Sequence, residues 1–131
     1  METEINMKKV ISTTNVPAAI GAYSQAILSN NTLYCSGQIA INPKTGNLVM
    51  DNITEETTQV MQNISAVLKA ADMNFSNVVK CSIFIRSIED YAEINKIYAE
   101  YFNEKPPARE AVQVSALPKN VNVEISVIAA H

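Results

Sequence analysis

Apolar and polar positions alternate along the chain up to about Ile41, change near Thr54 to a recurrence every three to four residues, and return to alternation toward the end. Alternation puts successive side chains on opposite faces of a strand, whereas i, i+3, i+4, i+7 spacing lines one side of a helix. Lys8–Thr13, Tyr23–Ser29 and Thr32–Ile41 therefore read as strands. Asn30 and Asn31, between the last two, tolerate the left-handed backbone of a tight hairpin, and residues 42–46 (Asn-Pro-Lys-Thr-Gly) carry turn chemistry.

Thr57, Val60, Met61, Ile64, Val67, Leu68 and Ala71 keep helical spacing. Thr54 is the expected N-cap, with Glu55 and Glu56 set against the positive end of the helix dipole. Val78–Arg86 alternates and is rich in β-formers. Ser87 followed by Asp90 resembles a capping box opening a second helix with an inner stripe of Tyr91, Ile94, Tyr98, Tyr101 and Phe102. Pro106-Pro107 is expected to end that helix, since proline lacks the amide donor and clashes with the preceding turn. Arg109–Leu117 and Asn122–Ala130 are two final strands. The order βββαβαββ predicts an α+β fold over residues 1–131 as a single domain: one mixed sheet with both helices on one face.

Each strand has two unlike faces. Val121, Val123, Ile125, Val127 and Ala129 oppose Asn122, Glu124, Ser126 and Ile128. Val112, Val114 and Ala116 oppose Arg109, Ala111, Gln113 and Ser115, while Leu33, Cys35, Ile39 and Ile41 oppose Tyr34, Ser36, Gln38 and Ala40. The wholly apolar faces suit the helices. The mixed faces point to a cover made by other subunits, with polar groups lining a wet interface or pocket. The plain alternative is an open antiparallel sheet with one solvated side.

A hydrophobic share of 47% against 18% charged places the chain among globular domains rather than disordered ones. Thirteen acidic against ten basic side chains give a net charge of −3, with the lysines scattered, which argues against a nucleic-acid binder. No apolar run approaches the roughly 20 residues that span a bilayer, and METEINMKKV lacks the apolar segment of a signal peptide, so the expectation is a cytoplasmic protein with no membrane partner. Cys35 and Cys81 are too few for a disulfide framework or four-ligand zinc site and read as buried thiols. The one histidine, His131, is the last residue, which leaves no positioned imidazole and no His-rich metal site.

The strings IGAYSQAI (20–27), SGQIAINPKTG (36–46), NVVKCSIFI (77–85), PAR (107–109), ALPK (116–119) and VEISVIA (123–129) together resemble the RidA, or YjgF, family of reactive intermediate deaminases. The resemblance runs from about Val10 to Ala130 with the blocks in order. It implies a chorismate-mutase-like fold, a homotrimer with active sites in the clefts between subunits, and hydrolysis of 2-iminobutanoate and 2-iminopropanoate to 2-keto acids and ammonia without metal or organic cofactor.

The resemblance also assigns residues. Arg109, after its Pro-Ala signature, matches the arginine that binds the substrate carboxylate, and Glu124 the carboxylate that handles the attacking water. Tyr23 matches a site tyrosine, Ser36 and Gly37 a Ser-Gly pair bordering the pocket, and Asn95 an asparagine on the second helix. Ala111 stands where many bacterial members carry Cys, so a backbone contact is expected there. Ala22 stands where many members carry Pro, and Glu110 where the family places a small residue; alternation turns Glu110 away from the pocket, with an Arg109 ion pair as the other outcome.

An imino acid presents a carboxylate and an electrophilic C=N carbon. Arginine gives planar bidentate recognition of the first, and a carboxylate can orient water toward the second. Without the resemblance, Arg109 reads as a surface or interface ion-pair residue, Tyr23 as an ordinary strand aromatic, and Arg109 with Glu124 as a structural salt bridge. The deaminase reading requires the guanidinium and carboxylate, brought in by neighbouring terminal strands, to meet in one cavity; facing opposite sides of the sheet would leave it without its machinery. Two other functions stay open: a non-catalytic trimer that holds a small carboxylate and regulates a partner enzyme, and RNA cleavage, which the acidic charge and absent internal histidine disfavour.

Overall fold

The computed structural model describes residues 8–131; residues 1–7, part of the segment read as lacking a signal peptide, lie outside the described residues. The elements are β1 (Lys9–Ile11), β2 (Ala26–Ser29), β3 (Thr32–Cys35), α1 (Ile53–Ala70), β4 (Val78–Ile85), α2 (Tyr91–Ala99), β5 (Ala108–Gln113) and β6 (Val123–Ala130). They follow the expected βββαβαββ order and form one six-stranded mixed sheet, β1-β2-β3-β6-β4-β5. Only β4 and β5 pair in parallel, because α2 carries the chain back between them. No helix is long and apolar enough to cross a membrane among the described residues.

The hairpin of β2 and β3 turns on Asn30 and Asn31, at φ 49° and 68°, a conformation asparagine accepts more readily than most residues. Helix α1 buries Val60, Met61, Ile64, Val67 and Leu68 against the sheet, each removal from water contributing about 1.5–3 kcal/mol as an upper bound. Its N-cap is Asn52 rather than Thr54: Asn52 Oδ1 accepts the Glu55 amide at 2.8 Å, and its own amide reaches the Glu55 carboxylate at 3.2 Å. Thr54, two residues further on, instead donates its hydroxyl to Glu93 at 2.8 Å and ties the two helices together.

Ser87 caps a 3₁₀ turn, Ile88–Asp90, which runs straight into α2, and Asp90 makes no side-chain cap. The helix ends at Ala99, well before Pro106-Pro107. Bonds from the Glu100 and Tyr101 amides back to Ile97 and Tyr98 tighten the last turn, and Tyr101 and Phe102 leave the helix to pack on Phe75, at 5.0 and 5.4 Å between ring centres. Of the expected inner stripe, Ile94 and Tyr98 are buried, Tyr91, Tyr101 and Phe102 only partly, and Ile97 joins them.

One sheet face is the core: Val123, Ile125, Val127 and Ala129 of β6 pair beside Ile85, Ile83, Cys81 and Val78 of β4, all buried under the helices. Both cysteines are free and buried, and burial pushes the Cys35 thiol up to about 12. The opposite face is uncovered in this chain. Val10, Ile27, Tyr34 and Ile128 form a continuous apolar row across four strands, with Tyr34 still 50% exposed.

The sequence pattern misplaces β5 in two respects. It is an edge strand beside β4, not a neighbour of β6. Its register also sets Arg109 beside Cys81 and Ala111 beside Ile83, so these two face the helices and Val112 faces the open side, 42% exposed. In so short an edge strand, Ala111 against Val112 is too small a contrast to fix the face, and the contacts of Arg109 with α2 decide it.

Candidate active site

β3 stops pairing regularly at Cys35, although the sequence read the strand on to Ile41. Gln38 resumes contact with β6 through its amide to Ile125 O at 2.8 Å and its carbonyl from Ile125 N at 3.1 Å. In the gap between lies Gly37, directly against Glu124. A Cβ at residue 37 would stand 2.9 Å from Glu124 Cδ and 3.1 Å from Cγ, and would overlap a carboxylate oxygen. Only glycine leaves the room that Glu124 occupies.

Glu124 opens onto a cleft of about 460 Å³ together with Tyr23, Ser36, Gly37, Pro17, Ile39 and Lys119. Burial holds its carboxyl above the ordinary carboxylate range, and among the described residues no hydrogen bond draws it back. A carboxylate short of partners and displaced in this direction is suited to accept a proton from water.

The walls are fixed by backbone bonds. Ser36 donates its hydroxyl to Ser24 O at 2.6 Å and its amide to Gln25 O at 3.0 Å, so Ser36 braces the loop that carries Tyr23. Gln25 went unnoticed in the sequence. It is buried, accepts the Thr13 amide at 2.7 Å, and donates to the carbonyls of Thr13 and Pro17 at 3.1 and 3.0 Å. A polar side chain in the middle of an apolar string was the available signal. Lys119, also missed, sits at φ 56° in the turn Pro118–Asn120, which the Arg86 guanidinium clasps through Asn120 O at 2.9 Å.

Arg109 belongs to a different recess, of about 440 Å³, bordered by Asn95, Tyr98, Phe102 and Pro107. Its Nη1 donates to Asn95 Oδ1 and its Nη2 to the Tyr91 hydroxyl, both at 2.6 Å. Its Cζ lies 5.0 Å from the centre of the Tyr98 ring, within cation–π range, and 5.7 Å from that of Tyr91. Burial, with Cys81 close by, pushes the Tyr98 hydroxyl up and keeps it neutral beneath the cation. Of the five guanidinium N–H donors, two are used in these bonds and three make no hydrogen bond among the described residues.

Two clusters thus emerge. Tyr23, Ser36, Gly37 and Glu124 come together in one, Asn95 and Arg109 in the other, and Ala111 packs on the core beside Ile83 without lining either cleft. The expectation that Arg109 and Glu124 meet through adjacent strands fails within one chain: β4 separates them, and they project from opposite sheet faces. No salt bridge joins them. Glu110 does turn away from Arg109, and forms its ion pair with Lys80 at 2.9 Å. It also accepts the Ser82 hydroxyl, and that bond first and Lys80 second hold its carboxyl below the ordinary range. Among the described residues no three His, Cys, Asp or Glu side chains cluster to hold a metal ion.

Residues 13–131 match the family model described as Endoribonuclease L-PSP. The chain belongs to the RidA (YjgF) family. Among RidA relatives, the rat 2-iminobutanoate/2-iminopropanoate deaminase is 49% identical over 123 residues, covering 94% of this chain and 90% of the rat protein. The crystal structure of YyfA from Yersinia pestis, a Rid protein of unknown function, superposes with a TM-score of 0.93 at 52% identity, covering 95% of this chain and all of that one. TdcF from E. coli, solved with bound serine, gives a TM-score of 0.90 at 33% identity over 94% of this chain and 98% of its own. The RidA fold is therefore shared in full with the sheet and helices described above.

Proposed function

We propose that the protein hydrolyses 2-imino acids, 2-iminobutanoate and 2-iminopropanoate among them, to 2-keto acids and ammonia, at sites formed between subunits of a homotrimer. The observation that carries this reading is the division of the site: a guanidinium preset for a carboxylate on one face, and an unpartnered carboxylate in an open cleft on the other. Each cleft lacks the group the other offers. The apolar row of Val10, Ile27, Tyr34 and Ile128 supplies a face for a second copy to cover, and relatives such as the rat protein carry the deaminase name.

In the proposed reaction two of the remaining N–H groups of Arg109 hold the substrate carboxylate in a bidentate pair and so fix the C=N carbon. Glu124 of the facing copy accepts a proton from water as the water oxygen bonds to that carbon and the C=N electron pair moves onto nitrogen. Return of that proton to nitrogen gives a carbinolamine; its hydroxyl proton then passes by way of Glu124 to nitrogen as the C–N bond breaks and the C=O forms, releasing ammonia. A positioned base of this kind typically contributes about 10²- to 10⁴-fold. RNA cleavage, the activity named in the family model's description, finds less support: the net charge is −3, and the single histidine is an exposed terminal residue.

A second reading makes this protein a non-catalytic trimer that binds a small carboxylate, and the serine bound in the TdcF structure supports it. The deciding experiment measures keto-acid release from imines generated by a threonine or serine dehydratase, with wild type and Arg109→Ala side by side. Acceleration by wild type and its loss in the variant support the enzyme. Affinity for 2-ketobutyrate without acceleration transfers support to the binding protein, and an unaffected Arg109→Ala removes Arg109 from both.

A further inference from the structure

Three side chains of α2 surround the Arg109 guanidinium. Tyr91, Asn95 and Tyr98 stand at i, i+4 and i+7 on one side of the helix, so a single element presents two acceptors and a ring face to one cation. Tyr91 is the member whose chemistry packing does not explain. Its ring is half-buried against the core, a duty phenylalanine would fill equally well, and the hydroxyl adds only the 2.6 Å bond to Nη2.

That bond changes what the guanidinium can do. Anchored at Nη1 alone, it could pivot about the Asn95 contact; anchored at both terminal nitrogens, it is fixed in plane, with the Tyr98 ring setting its height. Arginine loses much rotamer freedom when it grips a ligand, and an arginine already fixed loses less at the moment of binding.

We propose that Tyr91 is a positioning residue: its hydroxyl, acting with Asn95, locks Arg109 in the orientation that receives the substrate carboxylate, and so sets affinity for 2-imino and 2-keto acids without touching the reacting carbon. The inference rests on the deaminase reading and deepens it by naming what tunes carboxylate recognition.

The test compares wild type, Tyr91→Phe and Arg109→Ala as full-length proteins. It reads kcat and KM in the dehydratase-coupled assay, 2-ketobutyrate affinity by calorimetry, and the Arg109 side-chain nitrogen-15 signals without ligand. Tyr91→Phe is expected to raise KM and Kd together by about tenfold, change kcat by less than about twofold, and leave the melting temperature in place. Its Arg109 Nη signals, separate in wild type because rotation is hindered, should average. A Tyr91→Phe protein with wild-type KM, Kd and nitrogen signals overturns the proposal, as does a fall in kcat at unchanged KM. Loss of function in Arg109→Ala beside an unaffected Tyr91→Phe overturns this proposal alone. An Arg109→Ala protein that equals an active wild type in both assays removes Arg109 from the site and this proposal with it, whereas a wild type that does not accelerate keto-acid release brings down the deaminase reading.

Discussion

Arg109 and Glu124 project from opposite faces of one sheet, with β4 between their strands. If the two act in one reaction, they come from different copies of the chain, and this can be tested by mixing. Arg109→Ala and Glu124→Gln are each expected to be inactive. Co-refolded in equal amounts, they should regain about one quarter of wild-type activity, because random assortment puts an intact guanidinium against an intact carboxylate at one interface in four. Activity that stays at zero across mixing ratios would dismiss the shared site.

Gly37 gives a second handle, since its hydrogen is all that separates its backbone from the Glu124 side chain. Gly37→Ala should force the carboxylate out of place and lower kcat by about 10²-fold, the scale of a misplaced general base, with little change in thermal stability. Steady-state kinetics next to a melting curve would separate the two effects.

The pH dependence follows from Glu124. Its carboxyl is held above the ordinary value by burial, and it must be ionised to accept a proton. Hence kcat/KM should rise with pH over a window lying above the usual carboxylate range and level off once Glu124 has lost its proton. Glu124→Gln should abolish that limb together with the activity. An acid limb at the ordinary carboxylate value would contradict the desolvated setting.

The apolar row on the open face predicts assembly. Tyr34→Glu places a charge at its centre and should yield a monomer by light scattering with unchanged far-ultraviolet circular dichroism and no imine hydrolysis. A Tyr34→Glu protein that stays oligomeric would show that this face is not the contact.

Glu56 offers a prediction about stability alone. It is fully buried on α1, and its two oxygens accept the backbone amide and the side-chain amide of Asn122, both at 2.8 Å, pinning the start of β6. Glu56→Ala removes both acceptors and leaves the partly buried Asn122 amides without them, a loss of about 2 kcal/mol measurable by urea unfolding.

The sequence was most informative where hydrophobic contrast is large. The alternation of β6, the stripe of α1 and the Asn30-Asn31 turn each appear where residue types place them, because Val against Glu, or Ile against Gln, leaves one face to bury. The cluster of Tyr23, Ser36, Gly37 and Glu124 followed from matched strings, and the chain brings these residues together in one cleft. The facing of β5 was not legible, because Ala111 and Val112 differ little and the side is chosen by Arg109 reaching Tyr91, Asn95 and Tyr98 on another element. Nor does periodicity show that a half-apolar tyrosine spends its hydroxyl on an arginine, or that Gln25 folds back to hold the loop ahead of it.

The sheet order also distributes stiffness unequally. β6 is ladder-bonded by β4 along its length and by β3 at Ile128–Ala130, with the Gln38 bridge at Ile125 beside Glu124, whereas β5 has a neighbour on one side only and carries Arg109 near its start. Amide hydrogens on β6 should exchange only with global opening, while those on β5 should exchange through local fraying. The carboxylate therefore rides on an interior strand and the guanidinium on an edge strand, so loosening by heat or mild denaturant should reach the arginine first.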